Sequence, residues 1–199
     1  MEKSLDFLND SHYDILLRIA VFHYLFGYIH PFYDGNGRTS RFISSYMLSQ
    51  NLNRLIGYRI SFTIKEHINK YHKAFEICNH YNNRGDLTPF AEMFLGIVDT
   101  SMHQLYQALS ERFEKLMHYI DLITQLPNAE DESMCRIYNY LIQAALFSNM
   151  GISQKELEYE MGMTYNTVRS RLKRIPEELR IINKQGNRSF YLLDLKAVD

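Results

Sequence analysis

The chain has 199 residues, of which 46% are hydrophobic and 23% charged, a composition typical of a soluble globular protein. Its formal net charge of −1 excludes a global electrostatic attraction to nucleic acid or to a membrane, so a nucleic-acid site would need a local basic patch. The two cysteines, Cys78 and Cys135, form neither a Cys-x-x-Cys pair nor a disulfide framework. Without a signal peptide or an apolar run near the ~20 residues that cross a bilayer, we expect a cytoplasmic protein with no membrane partner.

Prolines are rare, and Leu, Ile, Tyr and Phe recur at helical spacing, which predicts a mainly α-helical protein. A first long helix, capped by Ser11 and ending near Ile29, is apolar around most of its circumference and is therefore predicted to be buried. A loop over residues 31–37 follows. A second helix is predicted from Arg38 to about Leu52, with Gly57 as a stop signal.

Two further helices are predicted over residues 65–80 and from Thr88 to about Tyr119; Thr88-Pro89 supplies a cap and a first-turn proline. Residues 127–132 are acidic and poor in apolar side chains, which favours a domain boundary there. The sequence therefore predicts a core domain over residues 1–126, a linker over 127–132 and a second domain over 133–199.

Residues 30–41 combine groups that suit a phosphate-binding site. Gly35 and Gly37 allow the backbone to approach a ligand and to direct successive N–H groups toward it, at the positive N-terminus of the next helix. Arg38 and Arg41 are three residues apart on one face of that helix, and paired guanidinium groups bind phosphates well. Asp34 would repel a phosphate on its own, so we expect it to hold a hard divalent cation such as Mg²⁺.

His30 ends the buried helix beside this loop, and histidine side chains titrate near neutral pH, which suits a general base. Each feature taken singly has an ordinary structural explanation: a turn, a packed histidine, a solvated arginine pair. Their occurrence together, in this order and spacing, favours a functional site.

The order His-Pro-Phe-x-Asp-Gly-Asn-Gly-Arg-x-x-Arg over residues 30–41 resembles the signature of the Fic family at every fixed position. Residues 23–29 resemble the family's lead-in helix, and residues 84–90 resemble the segment entering a later core helix. The resemblance covers about residues 1 to 100. It implies a Fic-type helical core that transfers AMP from ATP to a Ser, Thr or Tyr hydroxyl of a target protein.

The resemblance also implies roles for the motif residues. His30 would accept the proton of the attacking hydroxyl, and Asp34 would hold Mg²⁺ on the α- and β-phosphates. Backbone groups and the Asn36 side chain would cradle phosphate oxygens, the two arginines would neutralise the departing pyrophosphate, and Phe32 would point inward and anchor the loop. The residues implied to bind ATP are Phe32, Gly35, Asn36, Gly37, Arg38 and Arg41.

A weaker match concerns adenine, for which the family often has Tyr-Tyr and a later Asn. Tyr71 and Asn79 match this pattern and His72 departs from it, so ordinary positions on an amphipathic helix are the alternative. Gly37 lies where the Doc-like branch, a protein kinase, has Lys nearby, which favours AMP transfer. A few relatives transfer other nucleotides or phosphocholine, and the motif leaves these open.

Two devices common in the family are not recognised. A β-hairpin flap normally precedes the lead-in helix and aligns the target by strand addition. Residues 1–10 resemble the helix after such a flap, so we expect the flap to be missing, in a fragment or a naturally short protein. Residues 88–92 and 110–114 match part of the family's inhibitory-helix pattern, which we interpret as chance helical spacing.

Residues 133–199 are predicted to form a winged helix-turn-helix module. The pattern gives a helix over 134–147, a capping box at Ser153, a helix capped by Thr164, and two strands over 179–182 and 189–193. Its basic side chains would suit DNA phosphates: Arg169, Arg171, Lys173, Arg174, Lys184 and Arg188. A charged solvent-exposed face and a module that binds protein or dimerises are the alternatives, and the carboxylates at 156, 158 and 160 weaken the case for DNA.

The leading hypothesis is thus a protein adenylyltransferase that uses ATP and Mg²⁺. The alternative is a DNA-binding regulator whose core senses nucleotide or is inactive in this form. The expected partner is the modified target protein, and the sequence leaves DNA binding and homodimer formation open.

Overall fold

The computed structural model describes every residue from Met1 to Asp199 and confirms the mainly α-helical class. The chain divides into two compact units, Met1–Ala108 and Leu109–Asp199, and the division falls inside the sixth helix. No helix is both long and apolar enough to cross a membrane. The elements are α1 (Glu2–Asn9), α2 (Ile15–Ile29), α3 (Asn36–Asn51), α4 (Arg54–Glu66), α5 (Ile68–Asn79), α6 (Thr88–Leu122), α7 (Glu132–Phe147), β1 (Ile152–Ser153), α8 (Gln154–Met161), α9 (Tyr165–Arg174), β2 (Arg180–Gln185) and β3 (Arg188–Leu193).

In the first unit, α2 is the central buried helix that its all-round apolar pattern predicts. Ile19, Phe22 and Phe26 are almost completely buried and belong to one hydrophobic core with residues of α3 to α6. The helix begins one turn later than predicted, because Asp14 rather than Ser11 caps it: the Asp14 carboxylate accepts the Leu16 N–H at 2.8 Å.

Gly57 does not end a helix, and this part of the sequence prediction is wrong. It lies inside α4, where α4 packs closely on α3. A Cβ atom at this position would lie 2.5 Å from the Ser45 carbonyl oxygen and 2.7 Å from Ser49 Cβ. The close approach of two helices, and not a turn, therefore requires the glycine. The helix predicted over residues 65–80 is correspondingly two elements, the end of α4 and α5.

The second unit packs α7, α8 and α9 around its own core, beside a three-stranded antiparallel sheet in the order β1-β3-β2. The helix, helix-turn-helix and hairpin order predicted from the sequence is present, with β1 as an additional short strand. The predicted capping box forms, since Ser153 and Glu156 each bond the other's backbone N–H. Gly162 ends α8 with a φ of 63°, and Thr164 caps α9. Residues 127–132, the predicted linker, lie within this unit.

Replacement of Gly57 by alanine tests the helix contact. We expect Gly57→Ala to lower the free energy of unfolding by roughly 1–3 kcal/mol, because the new methyl group must push α4 away from α3. Gly96→Ala is the matched control: Gly96 also lies within a helix, but a Cβ there would meet nothing within 4 Å. The control should be neutral or more stable by up to about 1 kcal/mol, since alanine has the higher helix propensity. Urea unfolding followed by circular dichroism measures both, and equal effects would contradict the close-contact explanation.

Candidate active site

The loop of residues 30–35 connects the end of the buried helix α2 to the start of α3. His30 caps α2 in the left-handed conformation, with φ 53° and ψ 56°, and its N–H donates to the Phe26 carbonyl at 3.1 Å. Its ring Nδ1 lies 3.4 Å from the Gly27 carbonyl oxygen. A proton on Nδ1 makes that contact favourable and leaves Nε2 as a free proton acceptor on an exposed side chain.

The side chain of Asn36 closes the loop. Its Oδ1 accepts the Phe32 N–H at 2.9 Å, and its Nδ2 donates to the Phe32 carbonyl at 2.6 Å, while Asn36 itself is buried. One Nδ2 N–H is left unused by these two bonds, so the implied contact between this side chain and phosphate stays a prediction. Phe32, predicted to point inward, is 51% exposed, and its ring centroid lies 5.9 Å from that of the core residue Phe26. Asn36, and not Phe32, therefore anchors the loop.

The N-terminus of α3 presents unused hydrogen-bond donors. The backbone N–H groups of Asn36, Gly37 and Arg38 have no acceptor within the protein. Gly35, the residue before the helix, has a φ of 83°. Residues with a side chain are strained at this backbone angle, so glycine is what allows the chain to enter α3 with these N–H groups unpaired. The Asp34 carboxylate accepts the Gly35 N–H and forms an ion pair with Arg38 at 2.9 Å. That pair is largely solvent-exposed and hence weak, so a phosphate can replace the carboxylate on the arginine.

Arg41 lies against the first turn of α3, over the position that lacks a side chain. A Cβ at Gly37 would be 3.3 Å from Arg41 Nη1, so the glycine makes room for the guanidinium. No carboxylate forms an ion pair with Arg41. The structure thus brings His30, the free amides and both arginines of the motif to one loop and one helical turn.

A buried hydrogen-bond network lies in the core behind this loop. His23 of α2 is completely buried, with Nδ1 at 2.8 Å from Ser44 Oγ of α3 and Nε2 at 2.8 Å from the Tyr71 hydroxyl of α5. Burial, together with the positive charge of Arg41, lowers the pKa of His23 from 6.5 to about 3, so the ring is neutral. One ring nitrogen donates and the other accepts, and both are satisfied.

The two residues predicted to contact adenine are engaged elsewhere. Tyr71 is 7% exposed, packs in the core and bonds His23, and burial raises the pKa of its hydroxyl to about 12. Asn79 is exposed, but its Oδ1 accepts the hydroxyl proton of Tyr24 at 2.7 Å. Helix α5 turns Tyr71 toward α2, and a contact of this residue with adenine stays a prediction. The neighbouring His72, which departs from the family pattern, is exposed.

The basic residues predicted to contact DNA fall into two groups. Arg171 and Arg174 form ion pairs with Asp131 inside the second unit. A hydrogen bond from Ser133 and these two arginines hold the pKa of Asp131 at about 2. These two arginines are therefore not free for phosphates. The other four side chains are exposed: Arg169, Lys173, Lys184 and Arg188.

Comparison with known proteins shows which family the loop region resembles. Residues 1–48 match the model of the Fic/DOC family. The protein adenylyltransferase Fic of Aedes aegypti is 32% identical over 106 residues, which are 53% of this chain and 19% of that protein. The protein of the same name from Drosophila yakuba is 27% identical over 140 residues, 69% of this chain and 26% of that protein. These matches support a Fic/DOC relationship for the part of the chain that carries the loop.

A solved structure supports the same fold. A Fic family protein from Desulfovibrio desulfuricans G20 superposes with a TM-score of 0.51 and 22% identity, over 97% of this chain and 53% of that one. The chain thus spans about half of that protein, and about a fifth to a quarter of the curated Fic adenylyltransferases that it matches.

Sequence reasoning missed the network around His23. A usable signal was present: a histidine on a helix predicted to be buried all round must find hydrogen-bond partners. The partners themselves, Ser44 and Tyr71, follow 21 and 48 residues later, and no sequence pattern points to either of them.

The buried histidine predicts how the Fic core responds to acid. Because the folded pKa of about 3 is below the unfolded value of 6.5, the unfolded chain binds the extra proton between these values, and stability is lost as the pH falls through this window. The loss is at most about 1.4 kcal/mol per pH unit. We expect His23→Gln, which cannot titrate, to lose less stability than the wild type between pH 7.5 and pH 5, measured by urea unfolding.

Proton NMR gives a second readout that needs no variant. The ring resonances of His23 should stay at their neutral positions down to about pH 4. Titration of His23 near pH 6 would contradict the buried, fully bonded ring.

Proposed function

We propose that this chain carries the AMP-transfer centre of a protein adenylyltransferase, with the phosphates of ATP bound at the N-terminus of α3. One observation carries the proposal: the backbone N–H groups of residues 36–38 have no acceptor, and two arginines flank them beside an exposed histidine. Free amides at a helix N-terminus, joined by guanidinium groups, favour phosphate oxygens. The names of the curated relatives support the same activity class.

In the proposed reaction, the oxygen of a target hydroxyl attacks the α-phosphorus of ATP. The new bond joins that oxygen to phosphorus, and the bond from the α-phosphorus to the bridging oxygen breaks. Pyrophosphate leaves with the electron pair, and the hydroxyl proton passes to Nε2 of His30. Arg38 and Arg41 oppose the negative charge that develops on the leaving group, and the loop held by Asn36 keeps the donors in position before the reaction begins.

Asp34 fits the role of a magnesium ligand. Mg²⁺ is commonly held by one or two carboxylates together with the substrate's phosphates, and Asp34 is the only acidic residue of the motif. No group of three or more metal-ligating side chains occurs in the chain, so the ion would be shared with ATP and not held by the protein alone. When bound, Mg²⁺ would neutralise charge on the α- and β-phosphates.

Labelled ATP tests the proposal directly. With Mg²⁺ and a cell lysate as the source of target, we expect label from the α-phosphate of ATP to enter protein, and label from the γ-phosphate not to. His30→Ala should reduce incorporation about 10²–10⁴-fold, the usual effect of losing a general base. His103→Ala is the matched control, because His103 is an exposed histidine outside the motif. Incorporation of the γ-label, or unchanged transfer in His30→Ala, would overturn AMP transfer.

As a second candidate function, we propose that the second unit binds DNA. Arg169 and Lys173 are exposed on α9, and Lys184 and Arg188 are exposed on the β2–β3 hairpin. Four exposed cations on a helix and a hairpin suit contacts to a phosphate backbone. Glu156 and Glu160, which share a cavity with Arg169 and Arg188, oppose such contacts.

A salt titration decides this second candidate. If DNA binds, Arg169→Gln should weaken affinity for a duplex and lower the slope of log affinity against log salt by about 1. Lys196→Gln, at an exposed lysine near the C-terminus, should leave both unchanged. If the chain does not bind duplex DNA even at low salt, the proposal that the second unit binds DNA is wrong.

A further inference from the structure

A groove between α3 and α4 extends away from the candidate active site. It has a volume of about 660 Å³ and shares Arg38 and Arg41 with the motif. The close contact at Gly57 forms its floor, together with three serines. Arg54, in the first turn of α4, borders the groove near Gln50.

The groove is positively charged along its length. Three of its lining residues are arginines and none is a carboxylate. Neither Arg41 nor Arg54 forms an ion pair anywhere in the chain, and the one pair made by Arg38 is exposed. A cleft lined by one sign of charge concentrates ligands of the opposite sign.

The walls of the groove are aromatic and exposed. Phe42 is 70% exposed, Tyr46 56% and Tyr58 82%. Aromatic residues and arginine are the residue types enriched at the centres of protein–protein interfaces. The Tyr46 and Tyr58 hydroxyls can donate hydrogen bonds to a peptide backbone, whereas the three serines already bond one another or the Tyr46 carbonyl. This composition suits a polypeptide better than a simple anion.

We propose that this groove binds an acidic segment of the target protein and so selects the substrate of the adjacent site. The inference rests on the proposed AMP transfer and names the substrate class for it. The segment would place a carboxylate on Arg54, since Arg38 and Arg41 face the phosphates of ATP, and would lay its chain along the aromatic walls. Its hydroxyl-bearing residue would then lie next to the loop of His30.

Dimensions favour a peptide over the phosphate chain of ATP. A helix rises about 1.5 Å per residue, so Arg41 and Gln50, near the far end of the groove, are separated by about 14 Å along α3. An extended peptide covers this length with about four residues, at 3.3–3.6 Å each. A triphosphate chain is shorter than this separation, so it would not span the groove from Arg41 to Gln50.

The test uses a fluorescently labelled random copolymer of glutamate and tyrosine, which supplies acidic residues and hydroxyls together. Anisotropy with the full chain, without ATP, measures binding. We expect binding of this copolymer but not of a lysine–tyrosine copolymer, and about tenfold weaker binding by Arg54→Gln, which corresponds to about 1.4 kcal/mol. Lys65→Gln is the matched control: it removes the same charge from an exposed position on α4 outside the groove. The control should stay within about twofold, since rim charges contribute little.

Three outcomes would overturn the inference. Equal weakening by Arg54→Gln and Lys65→Gln would show attraction to net charge alone. Weaker binding of tripolyphosphate by Arg54→Gln, with no effect on the copolymer, would assign the groove to the phosphate chain. Self-association that Arg54→Gln abolishes in sedimentation experiments would assign the groove to a second copy.

The two measurements, copolymer binding and transfer of α-label, distinguish failure of the groove inference from failure of the proposed AMP transfer. Copolymer binding that depends on Arg54, without transfer of α-label, would leave the groove inference standing and remove AMP transfer. Transfer of α-label with unchanged copolymer binding by Arg54→Gln would remove the groove inference alone.

Discussion

His23 joins three helices through one neutral ring, and the candidate active site depends on this connection. Its two hydrogen bonds link α2, which ends at His30, to α3, which supplies the free amides and arginines, and to α5. Because the ring is fully buried, loss of either bond would leave a polar group without a partner in a low-dielectric environment, which is costly. The relative placement of α2 and α3 is therefore well determined in the core directly behind the loop.

The loop itself is organised by side chains that bond the backbone. The Asn36 amide holds Phe32 at both its N–H and carbonyl groups, which pins the middle of the loop to the start of α3. Two glycines then allow what a side chain would prevent: a positive φ at Gly35, and the approach of Arg41 to the helix at Gly37. The result is a set of donors fixed before any ligand binds, which is the condition under which electrostatic stabilisation of a transition state is most effective.

Two arginines of the first unit lack acidic partners, whereas two arginines of the second unit form ion pairs. In the first unit Arg41 and Arg54 have no acidic partner and border an open groove. In the second unit Asp131 pairs with Arg171 and Arg174, so these cations hold the start of α7 to α9. Counting basic residues in the sequence could not distinguish the two cases, because Asp131 precedes the arginines by about 40 residues.

The sequence by itself determined what depends on near neighbours in the chain. Apolar spacing predicted the helices, Ser153 and Thr164 predicted their caps, and residues 30–41 predicted a phosphate site of the Fic type. Tertiary structure alone decided which side chains are free for a ligand. Tyr71 is used by His23, from 48 residues away, and Gly57 is explained only by the surface of α3. Periodicity indicates which face of a helix is buried, but hydrogen-bond partners and helix contacts form between segments distant in sequence, and only the packed chain brings them together.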